Sequence, residues 1–155
     1  MKMENDVTRE KVGVSGESEQ LVTFNVDGQI FGIPAFKVRD VLRQQPLTKV
    51  PLARPEIAGA INLRGHIVTA INVRARLGAQ AISADLQSMC VVVESGGDSF
   101  CLIVDSVGDV ISIKTSEIEP NPGSLQASWA QMSRGVYRTN DHLLLLLDID
   151  QLLAF

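Results

Sequence analysis

The chain has 155 residues, the size of one domain or of two small subdomains that share an interface. Its 45% hydrophobic and 21% charged residues are typical of a soluble globular protein with a real core. A net charge of −4, without a basic stripe and interleaved aromatic residues, argues against a nucleic-acid partner. The longest strongly apolar run, 143–147, is far below the roughly 20 residues that cross a bilayer, so direct membrane insertion is not expected.

The first 19 residues are charged and contain Gly and Ser, without the apolar segment of a secretory signal. This composition predicts a disordered tail over 1–19. We therefore expect a cytoplasmic protein.

Short strands and tight turns are predicted for the first half of the chain. Apolar and polar residues alternate over 22–26, which predicts a strand with one apolar face. Asp27-Gly28 is a strong signal for a two-residue hairpin turn. Asn72 is expected to cap a short helix that Gly78 ends. Further strands are predicted over 29–33, 38–44, 47–50, 60–64 and 66–72.

The second half repeats this scheme after a predicted connector over 79–88. Asp148 is expected to cap a last amphipathic helix, and Pro120, Pro122 and Gly123 indicate a loop. Strands are predicted over 89–94, 99–104, 107–113, 135–139 and 142–147.

An internal repeat relates the two halves. At an offset of 76, Gly59 coincides with Gly135, and at an offset of 69 Gly28 coincides with Gly97. The two offsets differ by seven residues, so the second copy contains an insertion between Val110 and Gly135. Two copies of many short strands predict an all-β fold of two five-stranded barrels. We assign the barrels to 20–78 and 89–155, the second with the C-terminal short helix.

The sequence offers no catalytic or metal-binding motif. Serine-hydrolase elbows, phosphate-binding loops, dinucleotide fingerprints and zinc-protease motifs are all lacking. Cys90 and Cys101 lie in two strands of one predicted hairpin and are expected to be buried free thiols. His66 and His142 have no carboxylate or Cys partner at metal spacing. The prediction is a protein that is not an enzyme and that binds no metal or other cofactor.

Several segments carry a family resemblance. INLRGHIVTAINVR, supported by FGIPAFKVRDVL, IVDSVGDVISI and LLLLLDIDQLL in this order and spacing, resembles the CheW family of chemotaxis adaptors. The resemblance spans about 20–153 and implies two SH3-like five-stranded barrels, in agreement with the repeat. The chain departs from the family pattern at Thr69-Ala70, where a Pro is common, at Asn72 for the usual Asp, and at Asp40 for a frequent Glu.

The resemblance implies a non-catalytic adaptor that couples transmembrane chemoreceptors to a CheA-type histidine kinase. The adaptor would be recruited to membrane-associated receptor arrays. Receptor cytoplasmic tips are expected in a groove between the barrels, bordered by 38–40 and 59–64. The regulatory domain of the kinase would pack pseudo-symmetrically on the barrels, so that rings can form. The same module could serve a chemosensory pathway for pili or gene expression, or be a small-molecule-binding double barrel.

Arg64 is the strongest candidate for partner binding. A guanidinium at a hairpin tip presents a planar fork of donors to acidic or carbonyl groups on a receptor helix. Gly65 allows the turn, and the corresponding Asn140 of the second copy lacks the charge. The candidate binding residues that the resemblance implies are Val38, Asp40, Gly59, Asn62, Leu63, Arg64 and Gly65.

Structural roles remain open for several candidates. Asp40 recurs as Asp109, so it either satisfies turn amides or contacts a partner. Val38 is either part of the core or an apolar anchor. The repeat of Gly59 at Gly135 gives it at least a partly structural role, where a backbone approaches closely. Trp129, inside the insertion, either covers a barrel end or is an exposed anchor.

Overall fold

The computed structural model describes residues 17–79 and 87–155. Most of the predicted tail (1–19) and connector (79–88) lies outside the described residues, although the first strand already starts at Ser18. The described strands are β1 (Ser18–Val26), β2 (Gln29–Pro34), β3 (Val38–Arg43), β4 (Ile57–Leu63), β5 (His66–Asn72), β6 (Met89–Ser95), β7 (Asp98–Val104), β8 (Ser106–Lys114), β9 (Ser133–Arg138) and β10 (Leu143–Leu147). The described helices are α1 (Val73–Arg76), α2 (Ala127–Met132) and α3 (Ile149–Leu152), with 3₁₀ turns at Ala35–Lys37 and Thr115–Glu117.

The strands form two five-stranded sheets of SH3-like fold. We call the sheet with the order β8-β1-β2-β10-β9 the terminal sheet, and the one with the order β3-β6-β7-β5-β4 the central sheet. The hydrogen-bonded ladder of each sheet is open, with β8 and β9 or β3 and β4 at its edges. The prediction of an all-β fold with two five-stranded units is confirmed.

The two sheets do not coincide with the predicted units 20–78 and 89–155. Each sheet combines a hairpin from one copy of the repeat with three strands from the other. The link between β2 and β3 explains why. If β3 stayed in the first copy's sheet beside β1, it would run parallel to β2, and such a crossover needs a dozen or more residues. Only Ala35–Lys37 joins the two strands, so β3 enters the other sheet.

Strand registers preserve the repeat at the level of single residues. Val22 pairs with Ile33 in the hairpin β1–β2, and at the same offset Val91 pairs with Leu102 in β6–β7. The parallel pair of Leu145 and Phe31 corresponds to that of Thr69 and Phe100. A pseudo-twofold relation therefore connects the two sheets.

The described residues form three apolar clusters. A shared core contains residues of both sheets, among them Phe24 and Phe31 of the terminal sheet and Val93 and Leu102 of the central sheet. A smaller cluster lies within each sheet's own fold. The run 143–147 is explained by this arrangement, because Leu145 and Leu147 belong to the shared core while Leu144 and Leu146 belong to the terminal sheet's cluster. The strand is thus covered on both faces.

Local predictions hold with one exception. Asn72 caps α1 by accepting a hydrogen bond from the amide of Ala75 at 3.1 Å, and Asp148 caps α3 in the same way. The predicted strand over 47–50 is wrong, since only Thr48 forms an isolated bridge, to Ala60. Pro46 and Pro51 flank this segment and cannot donate to a ladder.

The insertion in the second copy packs against the rest of the protein, at the end of α1 and against Phe31. Trp129 on α2 donates from Nε1 to the carbonyl of Leu77 at 2.7 Å, and its ring centroid lies 5.7 Å from that of Phe31. A residue of the second copy thereby closes the end of α1, which belongs to the first. This favours the covering role over the exposed anchor.

Cys90 and Cys101 are buried free thiols, as predicted. Hydrogen bonding with Cys90, together with burial, raises the pKa of the Cys101 thiol. Among the helices of residues 17–79 and 87–155, none has the length and apolar character needed to span a bilayer.

Candidate protein-binding site

The turn between β4 and β5 displays Arg64. Arg64 and Gly65 have φ values of +52° and +87°, the two left-handed residues of a type I′ hairpin. The side chain of Asn62 braces the turn by accepting a hydrogen bond from the Gly65 amide at 2.9 Å. As a result, the Arg64 side chain is 85% exposed.

Arg64 and Asp40 are brought together by the fold. Nη2 of Arg64 lies 3.3 Å from Oδ2 of Asp40, although the two residues belong to opposite edges of the central sheet. Oδ1 of Asp40 also accepts from the Val41 amide at 2.9 Å. An exposed pair of this kind contributes at most about 1 kcal/mol to stability. Its effect is to orient a guanidinium that has further donors for a partner.

Phe36 and Val38 lie just before and at the start of β3, the strand that carries Asp40. Val38 is partly buried and packs against the shared core, which supports a structural role for its side chain. Phe36, in the 3₁₀ turn just before it, is 73% exposed. It lines a groove of about 310 Å³ where β2, on the terminal sheet, is followed by β3, on the central sheet. The sequence prediction missed Phe36; its position in the short link between two strands was the available signal.

A second groove, of about 490 Å³, begins at the Arg64 turn and follows β5 and β7. Ile67 lines it and is 72% exposed, and Phe100 lies at its far end. A cation, a carboxylate and the exposed apolar side chain of Ile67 therefore occur at the Arg64 turn and along the groove that begins there. This combination suits the surface of an amphipathic helix.

Two predicted site residues have structural roles. Gly59 is buried with φ +152°, and a Cβ there would lie 2.6 Å from the carbonyl oxygen of Thr48. Gly135 shows the same close approach, 2.6 Å to the oxygen of Glu119. Leu63 is half-buried against the central sheet's own cluster. Backbone packing against Thr48 therefore accounts for the need for glycine at position 59.

A partly buried ion pair joins α1 to the residue between β7 and β8. Arg74 on α1 donates from Nε and Nη2 to the two carboxylate oxygens of Asp105 at 2.9 and 2.7 Å. The hydrogen bond from Arg74 holds the pKa of the Asp105 carboxyl below its usual range. Within residues 17–79 and 87–155, no three His, Cys, Asp or Glu side chains are grouped to hold a metal ion.

Comparison with known proteins gives one consistent result. A family model described as "CheW-like domain" matches residues 20–155. The chain is 27% identical over 143 residues to the chemotaxis protein CheW of Klebsiella aerogenes, covering 91% of this chain and 86% of that protein. It is 28% identical over 135 residues to the chemotaxis protein CheW of Bacillus subtilis, covering 87% and 86%. The crystal structure of the scaffolding protein TtCheW from Thermoanaerobacter tengcongensis is similar with a TM-score of 0.81 and 29% identity, covering 90% of this chain and 94% of that one.

Proposed function

Because the chain belongs to the CheW-like family of non-catalytic chemotaxis scaffold proteins, we propose that it couples chemoreceptors to a CheA-type histidine kinase. In this proposal the cytoplasmic tip of a receptor, a helical hairpin, binds beside Arg64, and the regulatory domain of the kinase binds elsewhere on the sheets. Binding at both surfaces would recruit the protein to membrane-associated receptor arrays.

The observation that carries the receptor site is the exposed guanidinium of Arg64, which contacts Asp40 and lines the groove along β5 and β7. A receptor helix would place apolar side chains against Ile67 or Phe36. Its carboxylates or free carbonyls would accept hydrogen bonds from Arg64. Asp40 would then position the guanidinium of Arg64. Its carboxylate would also compete with an acidic partner for the hydrogen-bond donors of Arg64.

Substitution of Arg64 tests the receptor site. Arg64→Ala should weaken binding of a receptor-tip fragment about tenfold or more, because a hydrogen bond to a charged group contributes roughly 1.5–3 kcal/mol. Arg138→Ala is the matched control, since Arg138 is an exposed arginine near the equivalent turn of the other sheet and is also paired with a carboxylate, that of Glu119. Calorimetric titration of both variants measures the difference. Equal losses, or an unchanged affinity of folded Arg64→Ala, would refute the proposed site.

The kinase partner is tested separately. Titration of the unmodified chain with the regulatory domain of its cognate CheA-type kinase should give saturable one-to-one binding. Absence of heat and of co-elution, with both proteins folded, would contradict the coupling function. It would direct attention to a ligand of the grooves instead.

A further inference from the structure

Each sheet needs both halves of the chain. The N-terminal half (17–79) contains β1 to β5, and the C-terminal half (87–155) contains β6 to β10. Among the described strands, the pairings within a half are hairpins of neighbouring strands. The pairings β1–β8, β2–β10, β3–β6 and β5–β7 all join one half to the other. Neither half therefore forms a complete sheet by itself.

Two bidentate ion pairs also join the halves. Arg74 of the N-terminal half binds both carboxylate oxygens of Asp105 in the C-terminal half. In the opposite direction, Arg134 of the C-terminal half donates to both oxygens of Glu19 in the N-terminal half at 2.9 and 3.0 Å. These pairs give the half-to-half surface charge complementarity as well as strand complementarity.

We propose that this surface also binds the corresponding half of a second copy of the chain, giving a dimer with reciprocally exchanged halves. Such a dimer reproduces every described contact between the halves and needs no new complementary surface. A half tethered within the same chain meets its partner at an effective concentration on the order of millimolar. The monomer therefore prevails in dilute solution, and exchange becomes competitive when chains fold at high local concentration. This inference is independent of the receptor and kinase partners.

Charge reversal on different halves tests the exchange in full-length chains. One chain carries Arg74→Asp and the other carries Asp105→Arg. Each monomer then encloses a pair of like charges, whereas the exchanged heterodimer contains one native pair and one reversed pair. Enclosing two like charges at this partly buried position is costly enough to shift the heterodimer-to-monomer ratio roughly a hundredfold or more. The two chains are refolded together at high concentration, with one of them isotope-labelled, and analysed by native mass spectrometry.

The expected result is a heterodimer that forms only on refolding together. A single chain with both changes is the control and should fold as a monomer, because its reversed pair is internal. Glu19→Arg and Arg134→Glu form an independent second pair of chains in case the first variants do not fold. Only monomers or separate aggregates after refolding together, with the control folded, would overturn the proposal. A heterodimer that forms equally when folded chains are mixed would also overturn it, because that association involves the outer surface.

Discussion

Arg64 and Leu52 both have left-handed backbones, with φ values of +52° and +61°. For residues with a side chain this conformation costs roughly 1–2 kcal/mol relative to the right-handed one. Both side chains project into solvent, so neither gains burial in return. At Arg64 the left-handed conformation displays the guanidinium that we propose for receptor binding.

Substitution by glycine at Leu52 and Arg64 distinguishes the effect of backbone strain on stability from the effect of the side chain on binding. Leu52→Gly should raise the free energy of unfolding by about 0.5–1 kcal/mol, because strain is relieved and some backbone entropy is lost. Arg64→Gly should leave it nearly unchanged, since the same relief is offset by loss of the exposed pair with Asp40. Urea denaturation measures both values. Only Arg64→Gly should lose affinity for a receptor tip, and a loss with Leu52→Gly would show that the binding surface extends to that turn.

At the scale of elements, Asp105 connects three of them. It lies between β7 and β8, binds Arg74 on α1, and accepts a hydrogen bond from the amide of Asp27 in the β1–β2 turn at 2.8 Å. The hydrogen bond from Arg74 lowers its pKa in the folded protein. A carboxyl with a lowered folded pKa stabilises the protein above its unfolded pKa, near 3.9, and this stabilisation is lost as the pH falls through the folded pKa.

Asp105→Asn should therefore reduce stability at neutral pH and flatten its acid dependence. We expect a loss of about 2 kcal/mol at pH 7, where the charged hydrogen bonds are removed. Below about pH 4 the difference from the unmodified chain should shrink, because the unfolded chain binds a proton at Asp105 there while the folded protein does so only at a lower pH. Denaturation midpoints from pH 7 to pH 2 check this. Asp141→Asn, at an exposed turn, is the control and should change stability by less than about 0.5 kcal/mol; parallel pH curves for Asp105→Asn and the unmodified chain would contradict the assignment.

Most elements were predictable because each carries a local signal. The Asp27-Gly28 turn, the alternation over 22–26 and the caps at Asn72 and Asp148 depend only on neighbouring residues. The sequence analysis did not predict that each sheet contains strands of both copies. Both copies have the same pattern of strands, so the pattern does not show with which copy a given strand pairs. The three-residue link over 35–37 was the available signal, because it is too short for a crossover within one sheet. The Arg64–Asp40 contact depends on how distant edges approach, which no local pattern contains.

At the scale of the whole molecule, shared strands and a shared core make independent unfolding of the two sheets unfavourable. Each sheet loses strands if either half unfolds, and Phe24, Phe31, Val93 and Leu102 pack in one cluster that spans both. We therefore expect one cooperative transition, although the molecule has the outline of two repeats.

Gly59→Ala tests this cooperativity. The new methyl group would meet the Thr48 carbonyl in a backbone conformation that favours glycine, which should cost about 2–4 kcal/mol. Gly59 lies in the central sheet. If the sheets unfold together, the free energy of opening measured by amide exchange in β9 and β10 of the terminal sheet should fall by the same amount. Gly123→Ala, where a Cβ has open space, should leave both sheets unchanged. Faster exchange confined to the central sheet would show that the sheets unfold separately.

The burial of Cys90 and Cys101 has a practical consequence for site-specific labelling. Both native thiols are enclosed in the central sheet's cluster, so thiol-directed spin labels and fluorophores should spare them in the folded protein. A cysteine introduced at an exposed position outside both grooves, such as Leu52 or Val110, would then be labelled site-specifically, without removal of the native thiols. Distances from these two labels to a labelled receptor helix would test where that helix binds.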